Sequence, residues 1–501
     1  MKKLLCCMVL AIFISCPAAR GEVRLAKIFT DHMVLQQEMP IAVWGWADKA
    51  ENVSVTLAGK SVSCKADASG KWRVDIPALK ADGKPHTLTV KGSNTIELKD
   101  VLLGEVWLCA GQSNMNRSAE VRESDPSIRL FWIDGSVVPT KEDLGDNAAG
   151  WVLATPKDVA TATPPKRGRG AGKPRKSFAE VGYVFGRKIH TELKVPVGLI
   201  KCAFGGSQVQ SWTPVADIEK TYPFGKPAEG GYLGHRKGLL YQTMINGIVP
   251  LSMRGVLWYQ GENDGRSKIY HKDLTKWIAS WRKLWNRDDM PFYMVQIAPT
   301  TYAGGRMQYI WEAQTWAMHN IPHVALAVTN DMAPVKDHKG VDRTKPDKIT
   351  GFPLHGGGNP HPSNKQLAAV RLANIALVKT YKKPGRVLFG PMYDSHKIEG
   401  GKVIVKFKYT GAGLTSRDGK PLNWFELSDG TKEKRKFVFV KAVAKITGKD
   451  TIEVTAASLK APKFVRFAWN CEARHNLMNK ETLPAVSFKT YEPLAAAVAA
   501  K

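Results

Sequence analysis

Glu105-Val106-Trp107-Leu108-Cys109-Ala110-Gly111-Gln112-Ser113-Asn114-Met115 is the stretch on which the reading of the fold turns. Val106 to Ala110 is apolar throughout, as suits a parallel strand covered on both faces. Gly111 allows a tight turn, and Ser113 then stands just past the carboxyl end of the strand, where α/β sheets place their sites. The backbone N–H groups that follow can face a developing oxyanion. The order departs from the nucleophile elbow G-x-S-x-G, because Met115 occupies the place of the last glycine. Taken alone, Ser113 reads equally well as a helix N-cap.

Working outward, the same kind of run recurs. Val197-Gly198-Leu199-Ile200, Gly255-Val256-Leu257-Trp258 and Phe292-Tyr293-Met294-Val295 also suit buried parallel strands. Helical stretches alternate with them: Phe178 to Leu193, Tyr270 to Trp285, Met307 to Asn320 and Asn364 to Tyr381. This alternation predicts an α/β domain over residues 103–383. On its N-terminal side, residues 22–102 carry short alternating runs such as Val53-Ser54-Val55-Thr56-Leu57 and Trp72-Arg73-Val74-Asp75-Ile76, which predict a small antiparallel β domain. Val403 to Phe407, Phe437 to Val440, Thr451 to Val454 and Phe464 to Phe467 predict a second β domain over 384–490, followed by an Ala-rich, frayed tail at 491–501. A chain of 501 residues exceeds one ordinary core, in keeping with this division.

The first 21 residues read as an export signal. Lys2 and Lys3 precede an apolar region from Leu4 to Ile14, and Ala19-Arg20-Gly21 is a small-x-small cleavage site before Glu22. Phe13-Ile14-Ser15-Cys16 resembles a lipoprotein cleavage box, but Phe13 sits where leucine is usual and Pro17 follows, so a lipid anchor on Cys16 is the lesser expectation. No later run reaches the length of a membrane span. Cys64, Cys109, Cys202 and Cys471 are spaced too widely for a disulfide framework or a zinc knuckle. Buried free thiols are expected, with a Cys109–Cys202 bridge open if their strands are neighbours.

A formal net charge of +28 makes polyanions plausible partners. Part of the excess is local: Pro165 to Lys176 carries Lys166, Arg167, Arg169, Lys173, Arg175 and Lys176 with no acid. Its Gly and Pro content argues for a solvated loop, with a docking patch for an acidic glycan as the functional alternative. It is not a phosphate loop, since Arg167 replaces the first glycine and Pro174 follows Lys173.

Three more clusters fall at ends of predicted strands or in loops of the same α/β domain. Phe204-Gly205-Gly206-Ser207 follows the strand Val197 to Ala203, and its glycines let the backbone approach a ligand. Tyr259-Gln260-Gly261-Glu262-Asn263-Asp264 follows Gly255 to Trp258. His361-Pro362-Ser363-Asn364 precedes the last helix, on a loop with Gly356, Gly357 and Gly358.

With these blocks in this order, the chain resembles the SGNH hydrolases of the sialate O-acetylesterase type, related to acetylxylan esterases. Phe29 to Gln36 and Val43 to Ala47 resemble the family's N-terminal β domain. Glu105 to Met115 resembles its nucleophile block, Arg254 to Glu262 its third block and His361 to Gln366 its histidine block. Asn476 to Lys480 with Leu483-Pro484-Ala485 resembles its C-terminal segment. The resemblance implies an SGNH-like parallel sheet flanked by helices and a serine esterase acting on acetylated sugars, with acidic ones favoured by the net charge. Ser113 would be the nucleophile and His361 its base. The Ser113 and Gly206 N–H groups would hold the oxyanion, helped by Gln260 or Asn263. No metal, organic cofactor or nucleic acid is implied, and nothing specifies an oligomeric state.

One departure stands out. The family usually carries an aspartate two or three residues before the histidine, where this chain has Asn359 and Gly358. An amide can orient the imidazole but brings no charge. Glu262 is the favoured substitute acid and Asn359 the alternative orienter; the alternative functions are an acetylxylan or other polysaccharide acetylesterase and a glycan-binding protein on a degenerate scaffold. Asp331 and His355 are lesser candidates, and His338 and Asp342 lie in an apparent extra loop over 335–358.

Overall fold

The computed structural model describes residues 22–134, 143–162, 177–218, 232–265, 267–302, 306–332, 360–362 and 364–494. The signal with Cys16, the basic stretch 165–176, His338, Asp342, His355, Gly356, Gly357, Gly358, Asn359 and Ser363 lie outside the described residues.

The opening stretch is the second half of the central strand. The parallel strands are β1 (Thr95–Gly111), β2 (Asp125–Ile133), β3 (Val197–Ala203), β4 (Gly255–Tyr259), β5 (Phe292–Val295) and β6 (Val324–Ala327). They lie in the order β2-β3-β1-β4-β5-β6. Every residue of β3, β4 and β5 is buried, which is why their sequences show no polar alternation. The chain leaves β1 toward one edge through β2 and β3, then crosses to the other side through β4. The carboxyl end of β1 is therefore a topological switch point. The strand reading above does not include β2 and β6. Arg129 interrupts the apolar run of β2, and Val-Ala-Leu-Ala in β6 is too short and small to be told from a helical segment.

Besides a short helix at Pro156–Thr161, the helices around the sheet are α1 (Ser113–Asn116), α2 (Glu180–Leu193), α3 (Tyr270–Trp285), α4 (Met307–Asn320) and α5 (Gln366–Lys379). Tyr270, Leu274, Trp277, Ile278, Trp281 and Trp285 recur at helical spacing and form the buried stripe of α3. Asp273 in the first turn and Arg282 and Lys283 in the last suit the helix dipole, and Asn286 ends the helix with φ 49°. Trp277 packs on Trp258 of β4 with ring centroids 4.0 Å apart. Burial of each aliphatic side chain in the stripe contributes roughly 1.5–3 kcal/mol, enough to seat the helix on the sheet. On the opposite face, α2 lies close because Gly182 leaves room for Cys109: a Cβ there would come 2.6 Å from its Sγ.

β1 is 17 residues long and continues through position 102/103, where composition suggests a boundary, with a bulge at Asp100, whose φ is 55°. Its first half pairs with His86–Lys91 and Val34–Gln36, and its second half is the centre of the parallel sheet. The core is accordingly continuous from Val23 into the α/β sheet, whereas Val403, Phe425, Val465 and their neighbours form a separate C-terminal core. In that C-terminal part, Phe437 to Val440 is not one strand. Lys436–Phe437 pairs with Lys432–Glu433, and Val440–Lys441 pairs with Glu426–Leu427. Phe439, between them, lies under the Arg466 guanidinium, 4.0 Å from its ring centroid.

The cysteine reading resolves in favour of free thiols. β3 and β1 are neighbours, but Cys109 is in register with Lys201 and Cys202 with Ala110. Successive residues of a strand point to opposite faces, so the two sulfurs face away from each other. Cys109 meets α2, while Cys202 Sγ lies 3.8 Å from the Met244 carbonyl oxygen.

Glu105 anchors β1. Its buried carboxylate accepts two bonds from Arg254, at 2.6 and 2.8 Å, and others from Gln37 at 2.8 Å and Tyr381 at 2.9 Å. Removing one partner of a buried pair strands the other charge, at about 3–5 kcal/mol. Glu105→Ala is therefore expected to lower unfolding free energy by about that amount in urea titration. A loss below about 1 kcal/mol would show the network to be dispensable.

Candidate active site

β1 ends at Gly111, whose φ of 140° and closeness to β4 exclude a side chain: a Cβ would lie 2.3 Å from the Tyr259 carbonyl oxygen. The turn delivers Ser113 as the first residue of α1. His361 comes from the segment ahead of α5, and its Nε2 lies 2.8 Å from Ser113 Oγ across 248 residues of chain. A neutral imidazole protonated at Nδ1 can accept the serine proton at that distance.

The glycines after β3 complete the wall. Gly205 packs against Ser113, with its Cβ position 3.7 Å from the serine Cβ, and Gly206 follows with φ 66°. Neither the Ser113 nor the Gly206 N–H donates to another backbone carbonyl among the described residues. Tyr232 donates its hydroxyl proton to the Gly205 carbonyl, and its half-exposed ring meets His235 edge-on. His235 Nε2 lies 2.5 Å from Asn263 Nδ2, so Asn263 stands in the partly exposed wall beside these glycines.

Gln260 is placed otherwise than expected. It is fully buried, and its Nε2 donates to the Ser207 carbonyl at 2.8 Å and to Asp264 at 2.5 Å, while its Oε1 accepts from Tyr270 at 2.9 Å. Both amide protons are committed to the loops that follow β3 and β4, and only the amide oxygen meets α3, which leaves no proton for an oxyanion.

Glu262 is also one step removed. It is fully buried, and the Asn114 side-chain amide donates to its Oε1; no hydrogen bond joins it to the His361 ring among the described residues. The same amide donates to the Pro360 carbonyl at 2.9 Å, next to His361. The Asn114 oxygen accepts from the buried Lys365 ammonium. Burial pushes the Glu262 carboxyl up to about 7, against lowering by Asn114 and Lys365. It likewise pushes Lys365 down to about 7, against the opposing pull of Glu262. The two groups thus hold each other charged or let go together. Asn114 and Lys365 lie inside the nucleophile and histidine blocks, where neither residue type by itself points to a role. A lysine at a helix N-terminus opposes the dipole, and that is the signal by which Lys365 was detectable.

His361 titrates low. Burial, then the charges of Arg117 and Lys365, push it down to about 4. Asp331 is engaged elsewhere, by Arg371 on α5 at 2.6 and 2.8 Å. Asn359 lies outside the described residues.

A serine just past a buried strand, a histidine at bonding distance and two amides with no backbone acceptor among the described residues are groups that a serine esterase can use. Comparison with known proteins agrees. Residues 103–345 match the family model described as carbohydrate esterase, sialic acid-specific acetylesterase. Human sialate O-acetylesterase is 26% identical over 77% of this chain and 76% of its own length. The rat sialate O-acetylesterase is 25% identical over 93% and 94%. The crystal structure of a carbohydrate acetylesterase from Xanthomonas citri matches 94% of this chain and 99% of its own, at 27% identity and a TM-score of 0.76. Over most of its length the chain is thus similar to carbohydrate acetylesterases of the sialate O-acetylesterase type.

Proposed function

We propose that this protein is an exported serine esterase that removes O-acetyl groups from sugars, acetylated sialic acid foremost. The observation that carries the reading is the 2.8 Å approach of His361 Nε2 to Ser113 Oγ at the switch point of the sheet. Ser113 Oγ attacks the acetyl carbonyl while His361 takes its proton. The Ser113 and Gly206 N–H groups receive the oxyanion, with Asn263 as the side-chain donor at the rim. Collapse expels the sugar oxygen, which His361 protonates, and water then releases acetate from Ser113 by the reverse sequence. The signal at residues 1–21 supports export. The net charge of +28 supports acidic glycans as the preferred class.

The test is acetate release by the chain from residue 22 onward, on acetylated sialic acid, acetylated xylan and 4-nitrophenyl acetate. Turnover of the chromogenic ester with preference for acetylated sialic acid is expected. Preference for xylan would make it a polysaccharide acetylesterase, and no turnover on any of the three would favour a glycan-binding protein.

Glu262 and Asn359 are separated by substitution. Glu262 reaches the histidine segment through Asn114, so Glu262→Gln keeps an acceptor for the amide and is expected to lower kcat by roughly ten- to a hundred-fold. An acid touching the imidazole would cost on the order of ten-thousand-fold. Asn359→Ala is expected to be milder than Glu262→Gln; the reverse order would make the neutral amide the orienter of His361.

A further inference from the structure

Ser113 and Asn114 are adjacent on α1, and Pro360 and His361 are adjacent on the facing segment. The Ser113–His361 contact is therefore one rung of a two-rung ladder, whose other rung is the 2.9 Å bond from Asn114 Nδ2 to the Pro360 carbonyl. We propose that Asn114 is a positioning residue that sets the serine–histidine distance, with Lys365 and Glu262 locking its amide in the one orientation that can do so. The inference rests on the reading of Ser113 and His361 as nucleophile and base.

The lock follows from hydrogen-bond chemistry. An ammonium only donates, so the amide oxygen must face Lys365. An ionised carboxylate only accepts, so the amide nitrogen must face Glu262. One proton of that nitrogen then remains for the Pro360 carbonyl. A flipped amide would set its oxygen against both a carboxylate and a carbonyl. Asn114 and Lys365 are both fully buried, so water cannot substitute for a lost partner at low cost. Lys365 also lies over the Tyr259 ring, 5.3 Å from its centroid, which ties the lock to the end of β4. Glu262 thereby acts on the histidine through position and not through direct contact.

The test uses Asn114→Ala, Asn114→Asp and Lys365→Met, read by two assays: kcat and KM on 4-nitrophenyl acetate, and the rate of labelling by a fluorophosphonate, which needs the serine–histidine pair but no sugar. Asn114→Ala is expected to lower kcat and labelling by about a hundred-fold, the scale of a misplaced reacting group, with KM moved less than about three-fold. Asn114→Asp keeps the shape but loses both amide protons while ionised. Its activity should be lower still near neutrality and recover toward acid pH as the new carboxyl gains a proton to donate. A purely structural role would leave the shape of that pH profile unchanged. Lys365→Met should resemble Asn114→Ala. If Asn114→Ala does not accumulate as folded protein, Asn114→Asp decides alone through its pH profile. Parent-like labelling by the variants, or a parent-shaped profile for Asn114→Asp, would overturn the proposal. Labelling that depends on Asn114 in a protein that cleaves no acetylated sugar would uphold it and instead remove the proposed function.

Discussion

Ser113→Ala is expected to reduce acetate release by a factor on the order of 10⁵ to 10⁶ while the protein stays folded, as loss of the nucleophile does in comparable serine hydrolases. The side chain is small and sits at the start of a four-residue helix, so its removal leaves the sheet untouched. The backbone N–H at position 113 survives the change, so residual turnover above water is expected from the oxyanion site alone. Thermal unfolding and circular dichroism check the fold, and steady-state kinetics on 4-nitrophenyl acetate check the chemistry. A variant within ten-fold of the parent would remove Ser113 from the mechanism.

His361→Ala should fall to the same residual level, and the double variant should be no worse than either single one. Residues that act as a unit give such non-additive losses. The unsubstituted enzyme carries a further signature of this base. The imidazole must be neutral to accept the serine proton, and burial with Arg117 and Lys365 holds its titration down to about 4. Activity is thus present above that pH and lost as pH falls through it. The acid limb of kcat/KM should lie near pH 4 to 5, well below the ordinary histidine value of about 6.5. A limb at 6.5 or higher would have one of two sources: a carboxylate that stabilises the imidazolium directly, or protonation of Glu262, whose carboxyl burial pushes up to about 7 and whose ionised form holds the Asn114 amide.

Much of the α/β architecture was legible from local pattern. Tyr270 to Trp285 and Met307 to Asn320 match their helices end to end, because a wide apolar stripe at helical spacing needs only one packing partner. Phe292 to Val295 likewise matches its strand, because full burial leaves a short unbroken apolar run. Ser113, Gly206 and His361 were legible as candidates, each beside a glycine or a helix start at a predicted strand end or loop, and the fold brings Ser113 and His361 to 2.8 Å. The long course of β1 was not. Asp100 and Gly104 are turn-type residues beside a shift in composition, and only pairing on both sides shows that one strand carries the chain across them.

From the sequence alone came the sheet, the order of its blocks, the serine and the histidine, since each depends on residues within a few positions of one another. The partners of Gln260, Glu262 and Asn114 came only with the tertiary structure. A glutamine and a glutamate two residues apart after the same strand look equally able to serve the site. Gln260 turns inward, where Ser207 and Asp264 take its amide protons and Tyr270 of α3 donates to its oxygen. Glu262 turns toward Asn114, 148 positions away. Side-chain hydrogen bonds are satisfied by whatever the fold brings within about 3 Å, and sequence separation carries no information about that distance.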